Sequence, residues 1–481
     1  MSGFTLRGIV EGYYGPPYSA EDRLWWVERL ARWGMNAYCY APKDDPLQRA
    51  EWRTPYAEDA LREFARLIEA GAKQGVEVGF SVSPGLSMVY SSPEDRRLLE
   101  AKFRAFQAMG SRLFMLAFDD VPSHLAHDSD RRAFASLADA HVAVAHDLRD
   151  ALGGDATVLL GPTDYVGAEP TDYLETMGAS LDPAIPAFWT GRTVCSPEVR
   201  SDEAALRAAT LRRRLVLWDN VPVSDGPMRP LLHLGPYARR EPGLVAHVSG
   251  VLLNTMEHAR ASAVAVHTAA AWLRDPERYD AEAAWRAALD ELGAGAPAAF
   301  AEFAAAHRFS PIHPDDRDPE LEGAISSLRD ELGHGRDGHA LLAELRRSLE
   351  RRAGCAERLR RDLADRALAR ELEPWIASHH AETQRMLGAV SLLETVLGPA
   401  RRLHRVFAFF GFETRLAREK LSPDRVSYGP RRAVYPQLAS LRDDEAGFGR
   451  DPALFLDRNL GDELVRLAER AAFARLGGRP G

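Results

Sequence analysis

Eight short apolar runs, at residues 6–10, 37–40, 76–82, 113–118, 157–160, 185–189, 215–218 and 251–253, alternate with stretches of helical spacing in the first part of the chain. Apolar residues recur at helical intervals over 20–33, 57–74, 93–109, 131–152 and 202–212. Two of these stretches open with a hydroxyl cap and early acids, Ser19-Ala20-Glu21-Asp22 and Ser92-Pro93-Glu94-Asp95. Strand, helix, strand in strict alternation is the pattern of a parallel α/β architecture. Eight such units fit the usual span of a (β/α)8 TIM-type barrel, roughly 250 residues.

The chain has 481 residues, more than one barrel needs. Beyond about residue 280 the strand signals stop, and Ala, Leu, Arg and Glu recur with long helical periodicity. This predicts a barrel over 1–280 and an α-helical bundle over 281–481. Within the bundle, 341–372 and 382–420 read as antiparallel helices, 315–338 as a charged, Gly-containing connection, and 457–476 as a last helix. The irregular segment 423–451 is long enough to be functional or interface-forming. With the apolar run Val406-Phe407-Ala408-Phe409-Phe410, it raises the expectation of a homodimer through the helical domain.

Hydrophobic residues at 46% and charged residues at 27% are ordinary globular usage. A net charge of −9 offers no basic stripe, so nucleic acid is not an expected partner. Cys39, Cys195 and Cys355 are odd in number and far apart, which speaks against a zinc site or a disulfide framework and for reduced thiols. Met1-Ser2-Gly3 leads directly into the first strand with no signal-peptide pattern. No run approaches the roughly 18 apolar residues of a membrane span, so a cytoplasmic protein without membrane partners is expected.

Most of the unusual polar residues stand just after a strand, on the rim where barrel enzymes place their chemistry. Asp119 and Asp120 close the fourth apolar run, and side chains alternate along a strand, so both reach one cavity only if the backbone leaves strand geometry there. The pair has three readings: a metal site, an acid/base pair, or a solvated strand end. No His stands at any of the eight strand ends, which disfavours catalytic zinc. As an acid/base pair, two adjacent carboxylates would push one pKa upward. A retaining glycosidase with an enzymic nucleophile wants its carboxyl groups about 5 Å apart across the bond, which sequence neighbours supply poorly. If a 2-acetamido group of the sugar is the nucleophile, both acids can work on one side of the site.

Gly8-Ile9-Val10-Glu11-Gly12-Tyr13-Tyr14-Gly15-Pro16-Pro17-Tyr18, Asn36-Ala37-Tyr38-Cys39-Tyr40-Ala41-Pro42-Lys43-Asp44-Asp45, Ser83-Pro84-Gly85, Phe118-Asp119-Asp120-Val121 and Leu217-Trp218-Asp219-Asn220 follow in order. Together they resemble the motifs of O-GlcNAc hydrolases, the β-N-acetylglucosaminidases of glycoside hydrolase family 84. The resemblance spans the barrel and implies a retaining exo-β-N-acetylglucosaminidase that works through an oxazoline intermediate, without cofactor or metal. It implies that Asp119 holds the acetamido nitrogen and that Asp120 is general acid, then base. It further implies that Gly12 and Lys43 contact the sugar, and that Tyr165 orients the acetamido carbonyl. Asn220, Asp225 and Asn254 would bind hydroxyls and the N-acetyl group, and Trp218 would wall the pocket. The substrate would be a GlcNAc-bearing glycoprotein or oligosaccharide. Glu11 reads as structural. After Asn220, Val221-Pro222-Val223-Ser224 and Gly226 depart from the family pattern. Two rivals remain: a metal-dependent barrel lyase or hydrolase with Asp45, Asp119 and Asp120 as ligands, and a non-catalytic amino-sugar-binding barrel.

Overall fold

The computed structural model describes residues 3–308, 310, 312, 318–399, 404, 407–412 and 460–476. Eight strands form: β1 (Leu6–Glu11), β2 (Ala37–Tyr40), β3 (Glu77–Val82), β4 (Leu113–Ala117), β5 (Thr157–Gly161), β6 (Phe188–Trp189), β7 (Leu215–Asp219) and β8 (Val248–Asn254). They pair in parallel in the order β5-β4-β3-β2-β1-β8-β7-β6, and a bridge between Leu160 and Ala187 brings β5 to β6. The result is a nearly closed TIM-type barrel followed by helices. Helices cover the outside and side chains fill the inside, so the strands read as apolar runs without alternation. Val10, Cys39, Met115, Leu159, Val216 and Leu252 belong to the inner core, with Phe188 and Trp218 above them.

β6 is shorter than the expected 185–189. Pro186 has no N–H to give a ladder, so regular pairing with β7 starts only at Phe188. The expected helix over 131–152 is two: Asp128–Ala133, then Leu137–Leu152 after an extended Phe134. Ser136 caps the second by accepting from the Asp139 N–H at 3.1 Å, a signal as clear as those at Ser19 and Ser92.

Two buried ion pairs fix where strands end and rim begins. Glu11 closes β1 and accepts from Arg23 Nε at 2.9 Å, Arg23 Nη2 at 3.0 Å and the Tyr18 N–H at 2.8 Å, with the Tyr38 hydroxyl also on it. Asp219 closes β7 and takes Arg240 through both oxygens, at 2.6 and 2.8 Å, with Tyr237 OH at 2.7 Å. Bidentate pairs with every oxygen satisfied give direction as well as attraction.

The chain divides into two compact units. Described residues 3–226 and 236–284 make the first, and 227–235 with those from 285 onward make the second. The short stretch 227–235 joins the helices through Trp285 Nε1 on Leu234 O at 2.6 Å and Trp375 Nε1 on Pro230 O at 3.1 Å. The helical core gathers Leu321, Ile325, Leu345, Met386, Leu393 and Leu464. The expected connection over 315–338 instead contains the helix Pro319–Gly333, because Asp318 caps Leu321 N–H and Pro319 suits a first turn. The expected break between 372 and 382 is absent, since one helix runs Arg366–Leu397 through Pro374; breaks fall earlier, between the helices His339–Ala353, Cys355–Asp362 and Arg366–Leu397. The irregular segment 423–451, Val406 and the start of the last expected helix lie outside the described residues; that helix is described over Leu460–Leu476. Among the described residues no helix is long and apolar enough to cross a membrane.

Candidate active site

At the C-terminal ends of the strands lies a cavity lined by every residue that the resemblance implied for the site: Gly12, Lys43, Asp119, Asp120, Tyr165, Trp218, Asn220, Asp225 and Asn254. Tyr14, Phe188, Thr190, Val194, Cys195 and Val223 complete it. Of the added residues, Tyr14 stands in the first motif and Val223 in the segment that departs from the family pattern; Val194 and Cys195 lie in the loop after β6, with no local signal.

The Asp pair does leave strand geometry. β4 ends at Ala117, and Asp120 adopts φ +52°, a left-handed conformation that Asp tolerates better than most residues. The kink defeats the strand alternation and lets neighbouring acids share one cavity. Beneath them the Phe118 ring stacks on His141 at 3.9 Å, and His141 sits between Tyr173 OH (2.8 Å) and Tyr90 OH (3.0 Å). Burial pulls the His141 imidazole down to about 3, so it stays a neutral support.

Asp119 is buried, and Lys43 Nζ donates to its Oδ2. Its Oδ1 is buried and has no hydrogen-bond partner among the described residues. Asp120 is more open. Its Oδ1 accepts from Tyr165 OH at 2.8 Å and its Oδ2 from Tyr14 OH at 2.9 Å, with Lys43 Nζ 4.0 Å away. Burial raises the Asp120 carboxyl, but Lys43, the two phenols and Arg49 outweigh it and hold it below the usual carboxylate range. For Asp120 the direction is the opposite of the upward push expected of an adjacent carboxylate, with Lys43 beside both acids. Lys43 is buried rather than a surface ion pair, and its Nζ stands beside both acids. The acid that is raised is Asp225, chiefly by burial and further by Asp120, against the Tyr14 N–H it accepts at 2.8 Å.

Trp218, Asn220, Asn254 and Gly12 form the opposite wall. Asn220 Oδ1 accepts from Trp218 Nε1 (3.0 Å) and Asn254 Nδ2 (2.8 Å), Asn220 Nδ2 donates to Val194 O (2.6 Å), and Asn254 Oδ1 accepts from Gly12 N (3.1 Å). Each amide nitrogen uses one of its two protons here, leaving one to offer to a ligand. A methyl group on Gly12 would lie 2.3 Å from Trp218 Cζ2 and 3.2 Å from Asn254 Oδ1, so only glycine fits against the indole. Tyr165 is held by the buried Arg207, which donates to the carbonyls of Asp164 and Gly167 on either side, at 2.9 and 3.1 Å.

The metal reading loses a ligand. Asp45 accepts from Tyr40 OH (2.7 Å), Tyr56 OH (2.6 Å) and Leu47 N–H (2.9 Å) and does not line the cavity. Among the described residues no three His, Cys, Asp or Glu side chains gather as a metal site requires.

Comparison with known proteins agrees with the motifs. The β-N-acetylglucosaminidase (NAGidase) family model matches residues 7–305. The chain belongs to this family. Protein O-GlcNAcase of Rattus norvegicus and that of Mus musculus are each 34% identical over 275 residues, 56% of this chain and 30% of theirs. The chain thus spans under a third of the length of the curated relatives it matches. An aspartate-to-asparagine variant of the Thermobaculum terrenum O-GlcNAc hydrolase superposes with a TM-score of 0.83 at 28% identity, covering 98% of this chain and 95% of that one. CpGH84B superposes with a TM-score of 0.75 at 25% identity, covering 87% and 74%. The NAGidase assignment covers the whole barrel, and the resemblance to glycoside hydrolase family 84 stands.

Proposed function

We propose that the protein is a retaining exo-β-N-acetylglucosaminidase that removes terminal β-linked GlcNAc, including O-GlcNAc on Ser or Thr of proteins, with the substrate's own acetamido oxygen as nucleophile. The observation that carries this reading is the buried, unpartnered Oδ1 of Asp119 beside the hydrogen-bonded Asp120. A buried carboxylate oxygen without a partner costs stability unless a ligand completes it, and an amide N–H is the complement it calls for.

In this reading Asp119 accepts the acetamido N–H and turns the carbonyl oxygen toward the anomeric carbon. Lys43 stays on the other oxygen of Asp119 as the cyclising amide gains positive charge. Tyr165 OH, now on Asp120, shifts to the acetamido oxygen and orients it. That shift withdraws one of the hydrogen bonds holding Asp120 ionised, and filling the cavity removes water, so Asp120 gains the proton it delivers to the departing oxygen. As a carboxylate again, it activates the water that opens the oxazoline. Holding nucleophile and electrophile in one ring supplies on the order of 10⁵ to 10⁸ M of effective concentration. Gly12, Asn220, Asp225 and Asn254 would bind the ring's hydroxyls and N-acetyl group against Trp218. No cofactor or metal enters this scheme.

A panel of aryl glycosides and glycopeptides tests the substrate assignment. β-GlcNAc compounds should turn over, with and without EDTA, whereas β-glucosides, which lack the acetamido group, should not. Turnover abolished by EDTA would favour the metal-dependent rival, and tight binding without turnover the amino-sugar-binding one. A cytoplasmic setting suits three buried, free thiols. The exposed Phe407 and Phe410 support association of two copies through the helical unit.

A further inference from the structure

Arg49 lies outside every motif the site absorbed, between β2 and the helix Glu58–Gln74, yet it reaches two points of the acid/base residue's surroundings. Its Nη1 donates to the Tyr14 hydroxyl at 2.7 Å, and its Nη2 donates to the main-chain carbonyl of Asp120 at 3.1 Å. Its guanidinium also lies 5.7 Å from the centre of the Tyr14 ring. We propose that Arg49 is a positioning residue for Asp120: its fork fixes the direction in which Tyr14 gives its proton and the left-handed turn from which the Asp120 side chain projects.

A guanidinium has donors and no acceptor, so a phenol bonded to Arg49 must use its oxygen as the acceptor. Its single proton is then left for Asp120 Oδ2, 2.9 Å away. Without Arg49 that hydroxyl can rotate, and Asp120 loses a donor that favours its ionised form. The second arm acts on the backbone. Asp120 stands at φ +52°, a conformation that persists only when its surroundings hold it. The groups facing Asp120 are Lys43 from the loop after β2, Tyr14 from the loop after β1, Tyr165 from the loop after β5, Arg49 itself, and the acids Asp119 and Asp225. Lys43 and Tyr165 remain when Arg49 is removed, so the effect is a shift in the carboxyl's titration and not its loss.

The inference deepens the hydrolytic reading, and its first readout does not depend on that reading. The ¹³C carboxyl signal of Asp120, assigned by its absence in Asp120→Asn, is titrated in the full chain carrying Arg49→Met, Arg49→Lys or Tyr14→Phe. In Arg49→Met the signal is expected to titrate higher by about half a unit or more, because an opposing charge and an enforced donor are gone. The basic limb of kcat/KM should move up with it, since that limb reports loss of the acid's proton in the free enzyme. Arg49→Lys keeps the charge without the fork, so its titration should stay nearer the wild type while kcat falls. Arg49→Met and Tyr14→Phe act through one hydroxyl, and their shifts should combine to less than their sum. An unchanged Asp120 titration in folded Arg49→Met overturns the proposal. If that variant does not fold, an unchanged titration in Tyr14→Phe does the same. A wild type inert toward GlcNAc glycosides would remove the hydrolytic reading and leave the titration to decide Arg49.

Discussion

Asp120→Asn is expected to lower kcat by roughly 10² to 10⁴ on a GlcNAc glycoside with an alkyl leaving group, the span of a lost general acid/base. The amide is close to isosteric, and its oxygen can still accept from Tyr165 or Tyr14, so the cavity should keep its shape and KM should change little. The deficit should shrink as the leaving group becomes more acidic, because a dinitrophenolate departs without a proton. It should not vanish, since the second step still needs a base for water. Steady-state kinetics across phenols of graded acidity read this as a steeper leaving-group dependence than the wild type has. An equal loss on all of them would remove Asp120 from the acid role.

Asp119→Asn should behave differently. Its oxygen can still accept the acetamido N–H, but the negative charge that opposes the developing oxazolinium is gone. Loss of one preorganised electrostatic contact typically costs about 10² to 10³ in kcat. That cost should be the same for alkyl and dinitrophenyl substrates, because assisting the nucleophile is needed whatever leaves. The substitution also strands Lys43, and breaking a buried pair can cost about 3 to 5 kcal/mol. With Asp120 Oδ2 4.0 Å from Lys43 Nζ, part of that is recoverable, and a modest fall in melting temperature is the expected result. The contrast between a slope change at Asp120 and a uniform loss at Asp119 separates their two roles.

The barrel was legible because its signals are local. Each strand is an unbroken apolar run, each rim loop carries polar residues out of place in a core, and Ser19 and Ser92 mark helix starts by side chains three residues from the N–H they cap. The cues overlooked were also local: Pro186, which trims β6, Ser136, which splits a helix, and Asp318-Pro319, which starts one inside a stretch that looked like a linker because of its charges and glycines. That these residues line one cavity was legible through the family resemblance, with the rim rule pointing to several of the same positions. What could not be read was how the residues are wired. Lys43 reaches a carboxylate 76 positions away, Tyr14 one 106 away, and Arg49 a carbonyl 71 away. Those distances close only when the strands are arranged around the barrel, so the sign of the Asp120 shift belongs to tertiary structure. Glu11 shows the converse, because a lone acid inside an apolar strand demands a buried partner, and Arg23 supplies it.

The claim on which the mechanism turns is that the substrate's own acetamido oxygen attacks the anomeric carbon while Asp119 holds the N–H. The most direct test is kcat/KM for one aryl β-GlcNAc glycoside whose N-acetyl methyl carries none, one, two or three fluorines. Fluorine withdraws electrons from the amide oxygen and weakens it as a nucleophile, so rates should fall at every added fluorine. A rate indifferent to the substituents would mean that the acetamido group does not attack, and the account would be wrong.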